Sequence, residues 1–180
     1  MNEEDLQLIE QQLGRPPSGL QEVMKRNHNG FPAVLRVATM VEHNPFPTLF
    51  WLSDVQLNKW IHDLESAGMI ERVQRIIDES AEFRNRLICD HQKHVELRRS
   101  YYQPEVKREI ERLGVSDLLD QRGVGGVFNF NRVRCLHAFL AAHLVVPNLV
   151  GELLSKLLEP EDPLLIALAK VVPANRDLPG

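Results

Sequence analysis

Residues 83–98, FRNRLICDHQKHVELR, carry the clearest structural signal in the chain. Large side chains recur there at spacings of four, four, four and three, and they are Phe83, Leu87, His91, Val95 and Arg98. Side chains with these spacings lie on one face of an α-helix. The stretch therefore predicts one long helix. His91 and Arg98 share its apolar face, so they either line a pocket or form a solvated edge.

The flanking sequence predicts a mainly α (α+β) fold. At least six segments carry the helical period, and Ser18 with Gln21 forms a capping pattern that predicts a short helix around Leu20, Val23 and Met24. Residues 33–40 and 48–52 are rich in β-branched and aromatic residues, which favours two strands. We therefore expect a helical bundle with one small two-stranded antiparallel hairpin. It forms a single helical domain over residues 1–172, with a flexible tail over 173–180.

The bulk composition is that of an ordinary globular domain. The chain has 180 residues, of which 43% are hydrophobic and 26% charged. A formal net charge of −4 disfavours general nucleic-acid binding, which draws on clustered Lys and Arg. Two cysteines, Cys89 and Cys135, are too few for a disulfide framework and are predicted to be thiols. The sequence shows neither a signal peptide nor a membrane span, so we expect a cytoplasmic protein without membrane contact.

A glycine-rich segment marks the predicted binding site. Residues 121–130, QRGVGGVFNF, hold three glycines within four positions and predict a loop, after which Asn131 can cap a helix. Helix N-termini and nearby arginines favour phosphate or carboxylate. The alternative is that the glycines form only a tight turn. The candidate ligand-binding residues are His91, Arg98, Gly125, Gly126, Arg132, Arg134, Cys135 and His137.

Cys135 and His137 suggest further chemistry. The positive end of the predicted helix and its arginines would stabilise a Cys135 thiolate, which makes a reactive thiol one hypothesis. Residues two apart lie about 200° around a helix, so this pair would not face one metal ion. His137 lies on the predicted apolar stripe, where a buried, hydrogen-bonded histidine is the simpler interpretation. Cys89, His91 and His94 match no standard zinc spacing, so neither metal nor cofactor is predicted.

Three motifs resemble one family of uncharacterised bacterial proteins. They are residues 13–17 (LGRPP), 45–52 (PFPTLFWL) and 132–137 (RVRCLH). The chain is similar to the domain-of-unknown-function family five hundred and one, from its first helix to about Gly151. The resemblance implies a bacterial protein and brings no established activity.

The resemblance also bears on metal binding. In relatives, cysteines stand at the positions of Asn27, Asn29 and Asp54, and together with the cysteine matching Cys135 they imply a soft-metal or iron–sulfur site. This chain has Asn and Asp at the first three positions, and their oxygen atoms do not ordinarily hold an iron–sulfur cluster. We therefore expect no iron–sulfur cluster and no tightly held zinc.

Three functional hypotheses follow. The first is a small-molecule anion site at the glycine segment, with or without catalysis. The second is a non-enzymatic module that offers an apolar surface to a protein partner. The third is an altered structural metal site whose only available ligands are His28, Asp54, Cys135 and His137. The sequence assigns no reaction, because no set of nucleophile, base and orienting acid can be identified in it.

Overall fold

The computed structural model describes residues 2–174 and combines helices with two small sheets. The first half contains α1 (Glu3–Leu13), β1 (Leu20–Arg26), β2 (Pro32–Val37), β3 (Met40–Val41), β4 (Asn44–Pro45), β5 (Phe50–Leu52), α2 (Val55–Ser66) and α3 (Met69–Asp78). The second half contains α4 (Ala81–Ser100), α5 (Pro104–Leu113), α6 (Ser116–Asp120), a 3₁₀ turn (Val124–Gly126), α7 (Leu136–Val145), α8 (Leu149–Leu157), α9 (Pro163–Leu168) and β6 (Val172–Pro173).

The prediction of a single two-stranded hairpin is wrong. An antiparallel four-stranded sheet has the order β5-β2-β1-β6, and β3 and β4 form a separate two-stranded sheet. The segment predicted as a short helix after Ser18 is strand β1, which pairs with β2 from Leu20 opposite Val37 to Arg26 opposite Pro32. Pairing with the almost wholly buried β2 outweighs the local capping pattern, because strand formation depends strongly on tertiary context.

The predicted start of the helix after the glycine segment is also wrong. Helix α7 begins at Leu136 with Cys135 as its N-cap, so Asn131 caps no helix. Gln74 of α3 holds the preceding segment extended, since its side chain donates to the Asn131 carbonyl and accepts from the Val133 N–H, both at 2.9 Å. These hydrogen bonds replace the ones that a helical turn at this place would have formed.

Helices α7 and α8 form the apolar centre of the domain. Leu136, Phe139, Leu140, Val150 and Leu154 are all at most 1% exposed. Among residues 2–174 no single helix is long and apolar enough to cross a membrane, whereas α7 and α8 together reach that length but bend by 106° at the break between them.

The predicted C-terminal tail begins inside a strand. Pro173 of β6 lies opposite Lys25 of β1, and the Ala174 N–H donates to the Met24 carbonyl at 3.2 Å. Residues 175–180 of the predicted tail lie outside the described part of the chain.

The long helix predicted over residues 83–98 is present as α4, which begins after its N-cap Ser80. Its buried face contains His91 and Arg98, both 0% exposed, and also His94. Burial lowers the pKa of His91 to about 4 and that of His94 to about 3, so both imidazoles are neutral at pH 7. Of the two interpretations of this face, the solvated edge is excluded.

Because His94 is buried, we predict that the free energy of unfolding falls in mild acid. An unfolded chain protonates His94 as the pH falls below about 6.5, whereas the folded chain keeps it neutral down to about 3. Proton uptake by the unfolded state therefore lowers the free energy of unfolding across this window, by about 2 kcal/mol at pH 5. Urea denaturation at pH 7 and pH 5 should show a drop that is about 2 kcal/mol smaller in His94→Leu than in the wild type. Equal drops in the two proteins would contradict the assignment to His94.

Candidate functional site

Arg98 anchors the glycine segment from inside the domain. Its guanidinium donates to the carbonyls of Pro47 at 2.7 Å, Arg122 at 2.8 Å and Leu119. A buried charge that is satisfied by backbone carbonyls fixes the loops that supply them. Arg98 therefore has a structural explanation in its two terminal nitrogens, while its Nε has no hydrogen-bond partner among the described residues.

His91 holds the same segment from the other side. Its Nδ1 accepts from the Val124 N–H at 3.0 Å, and its ring stacks on Phe130 at a centroid distance of 4.9 Å. Gly123 lies so close that an added Cβ would be 2.2 Å from the His91 Nδ1. His91 is thus packed against the segment, and at least one glycine is present because no side chain fits.

Gly125 and Gly126 form a tight turn on the surface of α7. Their φ angles are +66° and +72°, values that favour glycine. A Cβ at Gly125 would be 3.2 Å from the Ala138 side chain. Gly125 and Gly126 therefore fit the alternative interpretation of the glycine segment, in which the glycines form a tight turn.

The two arginines after the glycine segment lie on the surface. Arg132 and Arg134 are exposed, and Arg132 lies 3.7 Å from the Asp78 carboxylate. Both line a shallow depression of about 350 Å³ together with Phe128 and Asn129. The N-terminus of α7 is occupied by the protein itself, because the Leu136 N–H donates to Glu65 Oε1 at 2.6 Å.

Glu65 brings Cys135 and His137 together. One ligand-type atom from each of the three side chains lies within 4.8 Å of the other two, and no further such group of His, Cys, Asp or Glu is found in the part of the chain that the structure describes. The His137 Nδ1 lies 3.2 Å from Glu65 Oε1. We call Glu65, Cys135 and His137 the mixed-ligand cluster.

The separation of Cys135 from His137 around a helix does not apply, because Cys135 is not helical. It has an extended backbone, with φ −155° and ψ 116°, and the helix begins one residue later. An extended residue before a helical one can turn its side chain toward its neighbour two positions on. The sequence argument against a shared site therefore failed at the helix boundary.

Both ring nitrogens of His137 have partners. Nε2 lies 3.1 Å from the Asn58 carbonyl and donates to it, and Nδ1 faces Glu65, to which it donates while the ring is protonated. A hydrogen bond with Cys135 raises the pKa of His137 to about 9, and the charge of Glu65 and the Asn58 carbonyl act in the same direction. The prediction that His137 is hydrogen-bonded is correct, but its side chain is 26% exposed.

This geometry suits a metal ion better than a nucleophilic triad. In a triad, the acid and the nucleophile contact opposite nitrogens of the imidazole. Here the Asn58 carbonyl occupies Nε2 and Glu65 lies at Nδ1. A metal-ligating histidine commonly donates its second N–H to a backbone carbonyl, as His137 does, and a metal ion would displace the proton from Nδ1.

The other metal ligands suggested by the sequence do not join this cluster. Asp54 is the N-cap of α2, and its second oxygen accepts from the Asn27 side chain at 2.7 Å. Of the set His28, Asp54, Cys135 and His137, the last two belong to the mixed-ligand cluster. Glu65 was missed because no motif contains it. The one available signal was its place in the last turn of α2, where an acidic side chain is unfavourable next to the helix dipole.

The chain is an α+β domain with a mixed sulfur, nitrogen and oxygen cluster between α2 and the start of α7. Residues 23–156 match the family model described as Protein of unknown function (DUF501), and the chain belongs to this family. The resemblance to this family is thereby confirmed, although the first of the three motifs, residues 13–17, lies outside the matched range. No curated protein and no solved structure matches the chain.

Proposed function

We propose that this protein binds a divalent metal ion of the zinc type through Glu65, Cys135 and His137, and uses it for chemistry on a small molecule. The observation that carries the proposal is the convergence of a thiol, an imidazole and a carboxylate within 4.8 Å. Zinc–ligand bonds of 2.0–2.3 Å place tetrahedral ligands about 3.3–3.8 Å apart. The three ligand atoms therefore need to move only slightly closer to one another to bind the ion.

The ligand set favours zinc over other metals. Cysteine and histidine select zinc among the common divalent ions, whereas calcium and magnesium prefer oxygen alone. The Asn58 carbonyl fixes the His137 ring so that Nδ1 faces the cluster. This proposal replaces the expectation from the sequence that the chain holds no zinc.

The number of ligands indicates the kind of site. Structural zinc sites have four protein ligands, whereas catalytic sites have three and leave one position for water or substrate. The cluster supplies three side chains, and those of Glu65 and His137 are 21% and 26% exposed. A fourth ligand can therefore arrive from solvent, and metal-bound water would supply a nucleophile near neutral pH.

Cobalt substitution tests the proposal directly. Titration of the chelator-treated protein with Co²⁺ should give one equivalent of tetrahedral d–d absorption and a sulfur-to-cobalt charge-transfer band. Cys135→Ser should abolish the charge-transfer band and weaken binding by about 100-fold or more, because a thiolate ligand is lost. Glu65→Gln should also weaken binding, while its amide oxygen still accepts from the Leu136 N–H.

The second cysteine provides the matched control. Cys89 is exposed on α4 and lies outside the cluster, so Cys89→Ser should keep the wild-type spectrum and affinity. The proposal fails if the wild type shows no saturable binding at micromolar Co²⁺ or Zn²⁺. It also fails if the charge-transfer band survives in Cys135→Ser.

A second candidate function is anion binding at the depression lined by Arg132 and Arg134. The observation that favours it is that two exposed arginines share this surface. A charge-assisted hydrogen bond is worth about 1.5–3 kcal/mol, so Arg134→Ala should weaken phosphate or pyrophosphate binding roughly 10–100-fold. Absence of saturable binding at millimolar ligand, or equal binding by Arg134→Ala and Arg132→Ala and the wild type, removes this candidate. The protein-partner hypothesis stays a prediction.

A further inference from the structure

A second, separate cavity lies between α4, β5 and the junction of α7 and α8. Its volume is about 420 Å³, within the range of small-molecule sites. Six of its twelve lining residues are apolar: Phe50, Leu97, Val124, Ala142, Val146 and Pro147. We call this space the α4–α8 cavity. Glu65, Cys135 and His137 do not line it.

His94 is the unusual member of the cavity wall. Its side chain lines the cavity and is only 6% exposed, yet neither ring nitrogen forms a hydrogen bond with a described residue, and Nε2 is fully buried. Each other histidine on these helices has at least one bonded ring nitrogen. His91 accepts from Val124, although its Nε2 is also unpaired, His143 accepts from Asn148, and His137 contacts the Asn58 carbonyl. Buried polar groups in folded proteins are normally paired. The cavity wall therefore contains an imidazole whose hydrogen-bonding groups are not paired with other protein groups.

The charges around the cavity restrict the ligand. Exposed Lys93 and Glu96 carry opposite charges, and the Asp90 carboxyl is held at the N-terminus of α8, where it accepts from the Leu149 N–H at 2.7 Å. The cavity thus has no excess of positive charge for an anion. Burial keeps the His94 imidazole neutral, as its lowered pKa shows, and a neutral imidazole both donates and accepts.

We propose that the α4–α8 cavity binds an uncharged, mainly apolar ring compound that carries one hydroxyl group, and that this hydroxyl pairs with His94. The ring packs against the apolar wall, where Phe50 already meets the His94 ring edge-on at 6.0 Å. The proposal is independent of the metal site, because no residue is shared and the binding needs no metal.

Three matched probes test the ligand class: 4-ethylphenol, ethylbenzene and 4-ethylbenzoate. Protein amide shifts should report saturable binding of 4-ethylphenol with a Kd of about 1 mM or tighter, in the absence of metal. At equal concentration, ethylbenzene should bind about 3–10-fold more weakly, because it lacks one hydrogen bond. The carboxylate should bind most weakly, since Asp90 and Glu96 repel it.

Two variants test the place of binding. His94→Leu should remove the preference for 4-ethylphenol over ethylbenzene, because leucine cannot pair with the hydroxyl. Val146 is 43% exposed and lies at the rim, so Val146→Trp should block both ligands, whereas Val55→Trp, on an exposed position of α2, should not. The rim variant keeps the test decisive if His94→Leu does not fold.

Each contrary result overturns the proposal. No saturable binding of 4-ethylphenol would show that the cavity takes no such ligand. Unchanged preference in His94→Leu would remove the role of the imidazole, and unchanged binding in Val146→Trp would place the ligand elsewhere. Tightest binding of the carboxylate would overturn the uncharged ligand class.

Discussion

Replacement of Arg98 by methionine should lower the free energy of unfolding by about 3–5 kcal/mol. The side chain is 0% exposed and donates to the carbonyls of Pro47, Leu119 and Arg122. A methionine side chain fills much of the same volume but donates no hydrogen bond. The Leu119 carbonyl keeps the Arg122 N–H as a donor, whereas those of Pro47 and Arg122 lose their partner. Each unpaired buried group costs about 1–3 kcal/mol, and the guanidinium contacts are lost as well.

The neighbouring arginine is the control for this experiment. Arg99 is 51% exposed and pairs with Asp120 on the surface at 2.6 Å. Arg99→Met should therefore change the free energy of unfolding by less than about 1 kcal/mol. Urea denaturation of both variants measures the difference. If the two variants are equally stable, the guanidinium of Arg98 does not hold the loops around the glycine segment.

Replacement of Gly123 by alanine should cost about 3 kcal/mol. The φ angle of Gly123 is −82°, an ordinary value, so the cost is steric. The new Cβ would lie 2.2 Å from Nδ1, 2.7 Å from Cγ and 2.9 Å from Cβ of His91. Relief requires a movement of His91, which would break its hydrogen bond with the Val124 N–H.

A double-mutant cycle isolates this contact. His91→Ala removes the atoms that the new Cβ would meet, so the cost of Gly123→Ala should largely disappear in the His91→Ala background. Gly30→Ala is the matched glycine control, since a Cβ there meets nothing within 4 Å and only its φ of +81° is unfavourable. An additive cycle would show that His91 and Gly123 do not constrain each other.

The helix period allowed the prediction of α4 but not of the sheet. Side chains of α4 repeat over many turns, so the pattern is strong without any knowledge of neighbours. Strand β1 has only seven residues, and its burial pattern does not alternate. Its structure depends on pairing with β2, which no local pattern records.

The candidate site, like the fold, could be predicted only in part. Cys135 and His137 were identified from a local motif, whereas their partner Glu65 is on a helix about 70 residues earlier in the chain. The three atoms converge only because Cys135 is extended where the sequence favoured a helix that starts at Asn131. Gln74, which prevents that helical turn, is again distant in sequence. Long-range side-chain contacts thus decided both the helix boundary and the cluster.

Strand β6 closes the sheet with few contacts, and this has a kinetic consequence. Only Val172 and Pro173 pair with β1, and they connect opposite ends of the described chain. Strands β1 and β2 are adjacent in sequence and pair over most of their length, so we expect them to form early and β6 to join after the intervening helices have folded. We also expect its two-residue contact to open without global unfolding. The Ala174 amide should therefore exchange its hydrogen much faster than the amides between β1 and β2, which exposes an edge of the sheet for short intervals.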